Sequence, residues 1–107
     1  MSRHCAFASL CQASDVSEGQ AIKVVRNGKD LAVFHIEGQY YVTDDLCTHG
    51  PGSLSEGLIE GHEVECDFHE GRFDVRTGEP TVPPCMVPLK TYKTKVEDGF
   101  VMIEDEA

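Results

Sequence analysis

The sequence predicts an all-β protein: a small antiparallel β-sandwich or barrel-like base built from both chain ends, with a second lobe inserted between its strands. Three observations carry that expectation. Short runs rich in β-branched, aromatic and alternating apolar residues recur along the 107-residue chain. Gly-containing turn dipeptides separate them: Asn27-Gly28, Glu37-Gly38, Thr77-Gly78 and Asp98-Gly99. No long segment repeats its apolar residues with the 3.6-residue period of a helix.

In chain order, strands are expected at 21–26, 31–36, 40–43, 62–66, 73–75, 89–96 and 100–104. Glu37-Gly38 and Asp98-Gly99 suit short hairpins best, because a tight two-residue connection needs positive φ. Residues 15–19 read as loop, or as a short helical turn at most. The inserted lobe spans about 45–84, and the acidic residues 104–106 form a frayed tail. No internal repeat, linker or low-complexity stretch divides the chain, so residues 1–107 read as one domain.

A chain of this size buries somewhat under ~70% of its unfolded surface, so its own core is modest. No run of ~18 apolar residues exists to span a membrane. The segment Met1-Ser2-Arg3-His4-Cys5 lacks the apolar stretch of a secretory signal. A cytoplasmic location is expected. The formal charge is −10, which repels nucleic acid. Between Asp44 and Arg72 lie eight acids (Asp44, Asp45, Glu56, Glu60, Glu63, Glu65, Asp67, Glu70) and one base (Arg72), a net −7. Such a face steers a protein toward basic partners; the plainer reading is solvated surface that maintains solubility.

Four residues carry the chemistry. Cys47 and His49 stand in C-T-H, and, after sixteen intervening residues, Cys66 and His69 in C-D-F-H. Two facing loops, each with one thiolate and one imidazole, fit a [2Fe–2S] cluster in which one iron has two Cys ligands and the other two His. Gly50-Pro51-Gly52 and Gly71 would let backbone N–H groups approach the cluster sulfurs. Zinc is the rival, since two Cys and two His also make a structural zinc set. The usual finger order places the two Cys together and then the two His, unlike the alternation here.

The run C-T-H-G-P-G…C-D-F-H-E-G-R-F-D resembles the Rieske proteins, and the tail P-P-C-M-V-P-L-K-T-Y-K-T-K-V-E-D-G-F-V-M-I resembles the small Rieske ferredoxins of bacterial aromatic-ring-hydroxylating dioxygenase systems. The resemblance extends from about Phe7 to Ile103. It implies the Rieske fold, with Cys47 and Cys66 on the inner iron and His49 and His69 on the outer, more exposed one. It implies an electron carrier rather than an enzyme. Single electrons would arrive from a flavin-containing NAD(P)H reductase and leave to a terminal oxygenase that carries its own Rieske cluster and a mononuclear iron, with transient docking by a monomer. High-potential Rieske proteins carry an extra Cys in each cluster loop and a Ser behind the second His. Here Phe68 and the Pro51–Ser53 stretch occupy the corresponding places, and Glu70-Gly71-Arg72 follows His69. The expected potential is therefore near the low end of the Rieske range, roughly −150 mV.

Two alternatives follow from the same resemblance. The small Rieske-like subunit of an assimilatory nitrite reductase shares the fold, but many of those lack the ligand set. The Rieske domain of an oxygenase subunit needs a two-His, one-carboxylate iron site for which the spare residues form no motif. Cys5, Cys11 and Cys85 are an odd number without paired spacing and read as free thiols, small and buried. Cys85, in Pro83-Pro84-Cys85-Met86, falls in a segment that the resemblance folds over the cluster lobe. His4, His35 and His62 lie outside the ligand pattern, and Tyr40, Tyr41 and Phe73 read as sheet or core aromatics.

Overall fold

The computed structural model describes residues 6–46, 53–66, 71–82 and 87–105. Eleven strands lie among them: β1 (Ala6–Gln12), β2 (Gln20–Arg26), β3 (Lys29–Ile36), β4 (Gln39–Asp44), β5 (Leu58–Glu60), β6 (Glu63–Glu65), β7 (Arg72–Asp74), β8 (Pro80–Val82), β9 (Thr91–Tyr92), β10 (Thr94–Glu97) and β11 (Phe100–Asp105). Two single-turn 3-10 helices, Ala13–Asp15 and Leu54–Glu56, complete the regular structure. The strands form three antiparallel sheets, ordered β1-β11-β10, β2-β3-β4-β9 and β5-β6-β7-β8. The all-β expectation holds, and the third sheet comes from the chain between β4 and β9.

The turn chemistry sets the registers. Asn27-Gly28, Glu37-Gly38 and Asp98-Gly99 each have positive φ at both residues, from 52° to 81°. That geometry matches the right-handed twist of the flanking strands. It pairs Arg26 with Lys29, Ile36 with Gln39 and Glu97 with Phe100 directly across the turns. The Glu37-Gly38 turn is also capped from outside: both of its backbone N–H groups donate to the Glu18 carboxylate. Those two bonds hold the carboxyl of Glu18 below its ordinary value.

β3 is the wall shared by two cores. Because successive side chains point to opposite faces, Leu31 and Val33 enter one cluster with Val16, Val42, Val101 and Ile103. Ala32, Phe34 and Ile36 enter the other, with Leu54, Val64, Cys66, Phe73, Val75 and Leu89. The first cluster bonds the two base sheets together. The second fastens the third sheet to the base, and Phe34 and Phe73 are fully buried in it. Burying one such ring contributes on the order of 1.5–3 kcal/mol.

Several expectations differ from the structure. The run 89–96 is not one strand: β9 pairs with β4, β10 pairs with β11, and Lys93 is the corner between sheets. Residues 6–12, 58–60 and 80–82, not expected as strands, are β1, β5 and β8. β1 has no β-branched residue and is held by its pairing with β11, with a register shift between Ser9 and Cys11. β11 runs on to Asp105, into the stretch expected as a frayed tail, whereas residues 15–19 are loop as expected, after a single 3-10 turn over Ala13–Asp15.

Candidate metal centre

The described residues frame both ligand loops. β4 ends at Asp44, and Leu46 then bridges Ser53 across the neck of the first loop. Asp45 tightens that neck. Its backbone carbonyl accepts from Leu54 N at 2.8 Å, and its N–H donates to Asp30 O at 3.1 Å. Its carboxylate accepts from Ser53 Oγ and from Ser55 N, both at 2.7 Å. Asp45 is only 3% exposed.

The second loop leaves from β6 and returns into β7, adjacent strands paired Glu65 to Arg72. Cys66 N donates to Gly71 O at 2.7 Å and closes the neck. Outside it, Arg72 reaches three carboxylates: Glu60, Glu65 at 3.1 Å and Glu63 at 3.6 Å. The bonds to Glu60 and Glu65 push the guanidinium further toward its charged form. Four of the eight lobe acids are therefore paired, Glu60, Glu63 and Glu65 with Arg72 and Asp44 with Lys29 from outside the lobe; the Lys29 pair and the burial of Asp45 make the solvated negative face smaller than the formal −7 suggests.

Of the four expected ligands, Cys66 lies among the described residues; Cys47, His49 and His69 lie outside them, as do Cys5, Cys85 and His4. Cys66 is 1% exposed and packs with Leu54, the residue just past the first neck. One expected thiolate donor thus sits in the shared core at a loop neck, beside the return from the other loop. A soft sulfur donor shielded from water in this way suits an iron–sulfur group.

The other candidates have structural partners. His35 Nδ1 is 2.9 Å from Val16 O, its Nε2 is 3.3 Å from Glu18, and its ring stacks on Tyr40 with centroids 4.1 Å apart. His62 lies 3.8 Å from Glu37 and edge-on to Tyr41. Tyr40 and Tyr41 pack against the two core clusters, and Phe73 is fully buried. Cys11 is half-buried and not disulfide-bonded; burial, and then the Asp15 carboxylate, push its thiol up. Among the described residues no three His, Cys, Asp or Glu converge as a separate metal site. Sequence reasoning counted Asp45 and Arg72 only as charges. The serines of Ser53-Leu54-Ser55 behind the first ligand loop were the available sign of a side-chain clasp.

Comparison with known proteins agrees with this geometry. Residues 6–93 match the family model described as a Rieske [2Fe-2S] domain. The ferredoxin component of naphthalene 1,2-dioxygenase/salicylate 5-hydroxylase systems from a Ralstonia species is 46% identical over 92 residues, 86% of this chain and 88% of that one. The solved Sphingomonas yanoikuyae B1 ferredoxin superposes with a TM-score of 0.89 at 40% identity, covering 94% of this chain and 99% of that chain. A ferredoxin in a complex of reduced oxygenase and oxidized ferredoxin from carbazole 1,9a-dioxygenase superposes at 0.86 with 43% identity, covering 92% of each chain. A nitrite reductase small subunit shares the fold alone, at 24% identity and a TM-score of 0.80. The weight of similarity thus falls on dioxygenase ferredoxins rather than on the nitrite reductase alternative. With its two closed loop necks, its buried Cys66 and this match, the chain belongs to the Rieske [2Fe-2S] family.

Proposed function

We propose that this chain is the electron-transfer ferredoxin of an aromatic-ring-hydroxylating dioxygenase system. The buried Cys66 at a loop neck facing the first loop's return carries the reading, because it is where a water-shielded thiolate ligand is required. Cys47 and Cys66 would hold one iron, and His49 and His69 the other, nearer the surface. The bound [2Fe–2S] group supplies a one-electron couple. The chain's own residues bind it, exclude water from its inner side and present its outer side to partners. Cys66, Leu54, Val64 and Phe73 provide the apolar inner wall.

A terminal Rieske oxygenase takes the electron, and an NAD(P)H-dependent flavin reductase delivers it. The chain is one domain in this reading, with a cluster lobe at about 45–84, and works in the cytoplasm as a monomer that docks transiently. Among the described residues no helix is long and apolar enough to cross a membrane.

The test is reconstitution. The purified holoprotein should be reduced by NADH only when a ferredoxin reductase of such a system is added. It should be reoxidised by a dioxygenase oxygenase component in the presence of its arene and O2. Product formation without this chain, or no reoxidation by any oxygenase component tried, contradicts the reading.

A further inference from the structure

We infer that Asp45 is a positioning residue that clasps the first ligand loop and, as a buried anion, holds the reduction potential down. The inference rests on the ligand assignment proposed above. Asp45 uses all of its polar groups: its backbone N–H donates to Asp30 O of β3, while its carbonyl, Oδ2 and Oδ1 accept from the Leu54 N–H, the Ser53 hydroxyl and the Ser55 N–H on the returning flank of that loop. Four hydrogen bonds to one residue leave the neck few ways to shift.

The choice of a carboxylate calls for a separate explanation. Among the described residues no cation lies within ion-pair distance of Asp45, although it is 3% exposed. Its neighbour Asp44, less deeply buried, has Lys29 at 3.5 Å and the Tyr92 hydroxyl at 2.6 Å. A buried charge without a counter-ion is costly, and an asparagine of the same shape could close the neck without it. At this position, however, the charge can act on the neighbouring redox centre. Asp45 stands two residues before Cys47, and covalent geometry keeps their Cα atoms within about 7.6 Å. In a medium of low dielectric an anion at that range opposes the arrival of an electron. The sign is toward lower potential, the direction also expected from the sequence.

Two variants separate the clasp from the charge. Asp45→Asn keeps the shape: its carbonyl can still accept from Ser55 N, and its amide can donate to Ser53 Oγ. Ser53→Ala keeps the charge and removes one strut of the clasp. Both would be purified with the cluster in place, titrated electrochemically and frozen reduced for EPR beside the unchanged protein. The expected result is an upward shift of the midpoint in Asp45→Asn with wild-type line shape. Ser53→Ala should retain the wild-type midpoint but give broadened EPR lines. A wild-type midpoint in Asp45→Asn overturns the electrostatic role. Wild-type line width in Ser53→Ala overturns the clasp, including where Asp45→Asn does not retain iron. Failure of the ligand assignment itself is visible separately, as an unchanged protein without two irons or without a mixed-ligand spectrum.

Discussion

The phenol of Tyr92 donates to Asp44 Oδ1 at 2.6 Å, joining residues 48 apart in sequence. Asp44 ends β4, where the chain leaves for the third sheet, and Tyr92 lies in β9, where it comes back. The two strands pair directly, Val42 with Tyr92 and Thr43 with Thr91. Lys29 and Lys90 stand over the Tyr92 ring at 6.0 and 5.1 Å, and Lys29 also meets Asp44. One phenol thus stitches the base of the lobe shut.

Tyr92→Phe should therefore cost about 1 kcal/mol, below the ~1.5–3 kcal/mol of a hydrogen bond to a charged group because Asp44 is partly solvated. Thermal melts should show a Tm lower by roughly 4–8 °C. The pH dependence has a definite sign. Burial first, and then the bond to Asp44, raise the Tyr92 phenol above its ordinary value. An unfolded tyrosine ionises near pH ~10, so this contribution is intact below that and lost as pH rises through the higher native value. The Phe variant should lose less stability than the unchanged protein above pH ~10; equal alkaline losses would contradict the assignment.

Gly57 and Gly78 are sterically required. A Cβ at Gly57 would lie 1.9 Å from Glu65 O, and one at Gly78 2.3 Å from Leu89 O, each a backbone atom that cannot swing away. Gly78 also has φ +83°. Gly38 has a similar φ of +79° but open space around its Cβ direction. Gly57→Ala and Gly78→Ala should each lower Tm clearly more than Gly38→Ala, whose cost is the backbone strain of about 1 kcal/mol alone. Equal losses at all three sites would show that the backbone yields at β6 and at Leu89.

Asp74 gives an acid-side prediction. The Arg76 guanidinium forks onto it at 3.1 and 2.8 Å, and the Arg76 backbone N–H adds a bond at 2.9 Å. The side-chain bond to Arg76 is the main cause that holds the Asp74 carboxyl below its ordinary value. Its contribution is full above the unfolded value near ~3.9 and is lost as pH falls through the lower native one. Asp74→Asn should flatten the fall of stability between about pH 4 and 2. An unchanged acid limb would place the acid sensitivity elsewhere.

Electron delivery should slow as salt is added, because acidic lobe residues screened by ions steer less. Lys29, from outside the lobe, pairs with Asp44, and Asp45 is buried, so the salt dependence should be weaker than a formal lobe charge of −7 would give. Stopped-flow rates against ionic strength check this; a rate independent of salt removes steering altogether.

Much of the fold was legible because local chemistry dictated it. Asn27-Gly28, Glu37-Gly38 and Asp98-Gly99 state their hairpins outright, since positive φ at both turn residues suits few other sequences. The apolar run of β3 was readable as a strand, but its double burial was not: only the third sheet, folded onto its second face, supplies it. The three-residue strands β5 and β8 are too short to carry a period, and β8 opens on a proline. The break at Lys93 left no mark, because β-type residues continue on both sides while the hydrogen-bonding partner changes from β4 to β11. Cys66 was singled out by its spacing, and its burial at a loop neck appears only in the fold. Asp45 was not, since a sequence does not distinguish it from the adjacent Asp44, and the two differ only in what surrounds them.

Mixed Cys/His ligation is the central claim, and an EPR spectrum of the anaerobically purified, dithionite-reduced protein tests it most directly, with iron and sulfide counted on the same sample. Two irons per chain are expected, with a rhombic signal whose average g lies clearly below that of all-thiolate ferredoxins. A silent sample holding one zinc, or a two-iron spectrum with the average g of an all-thiolate cluster, would contradict it.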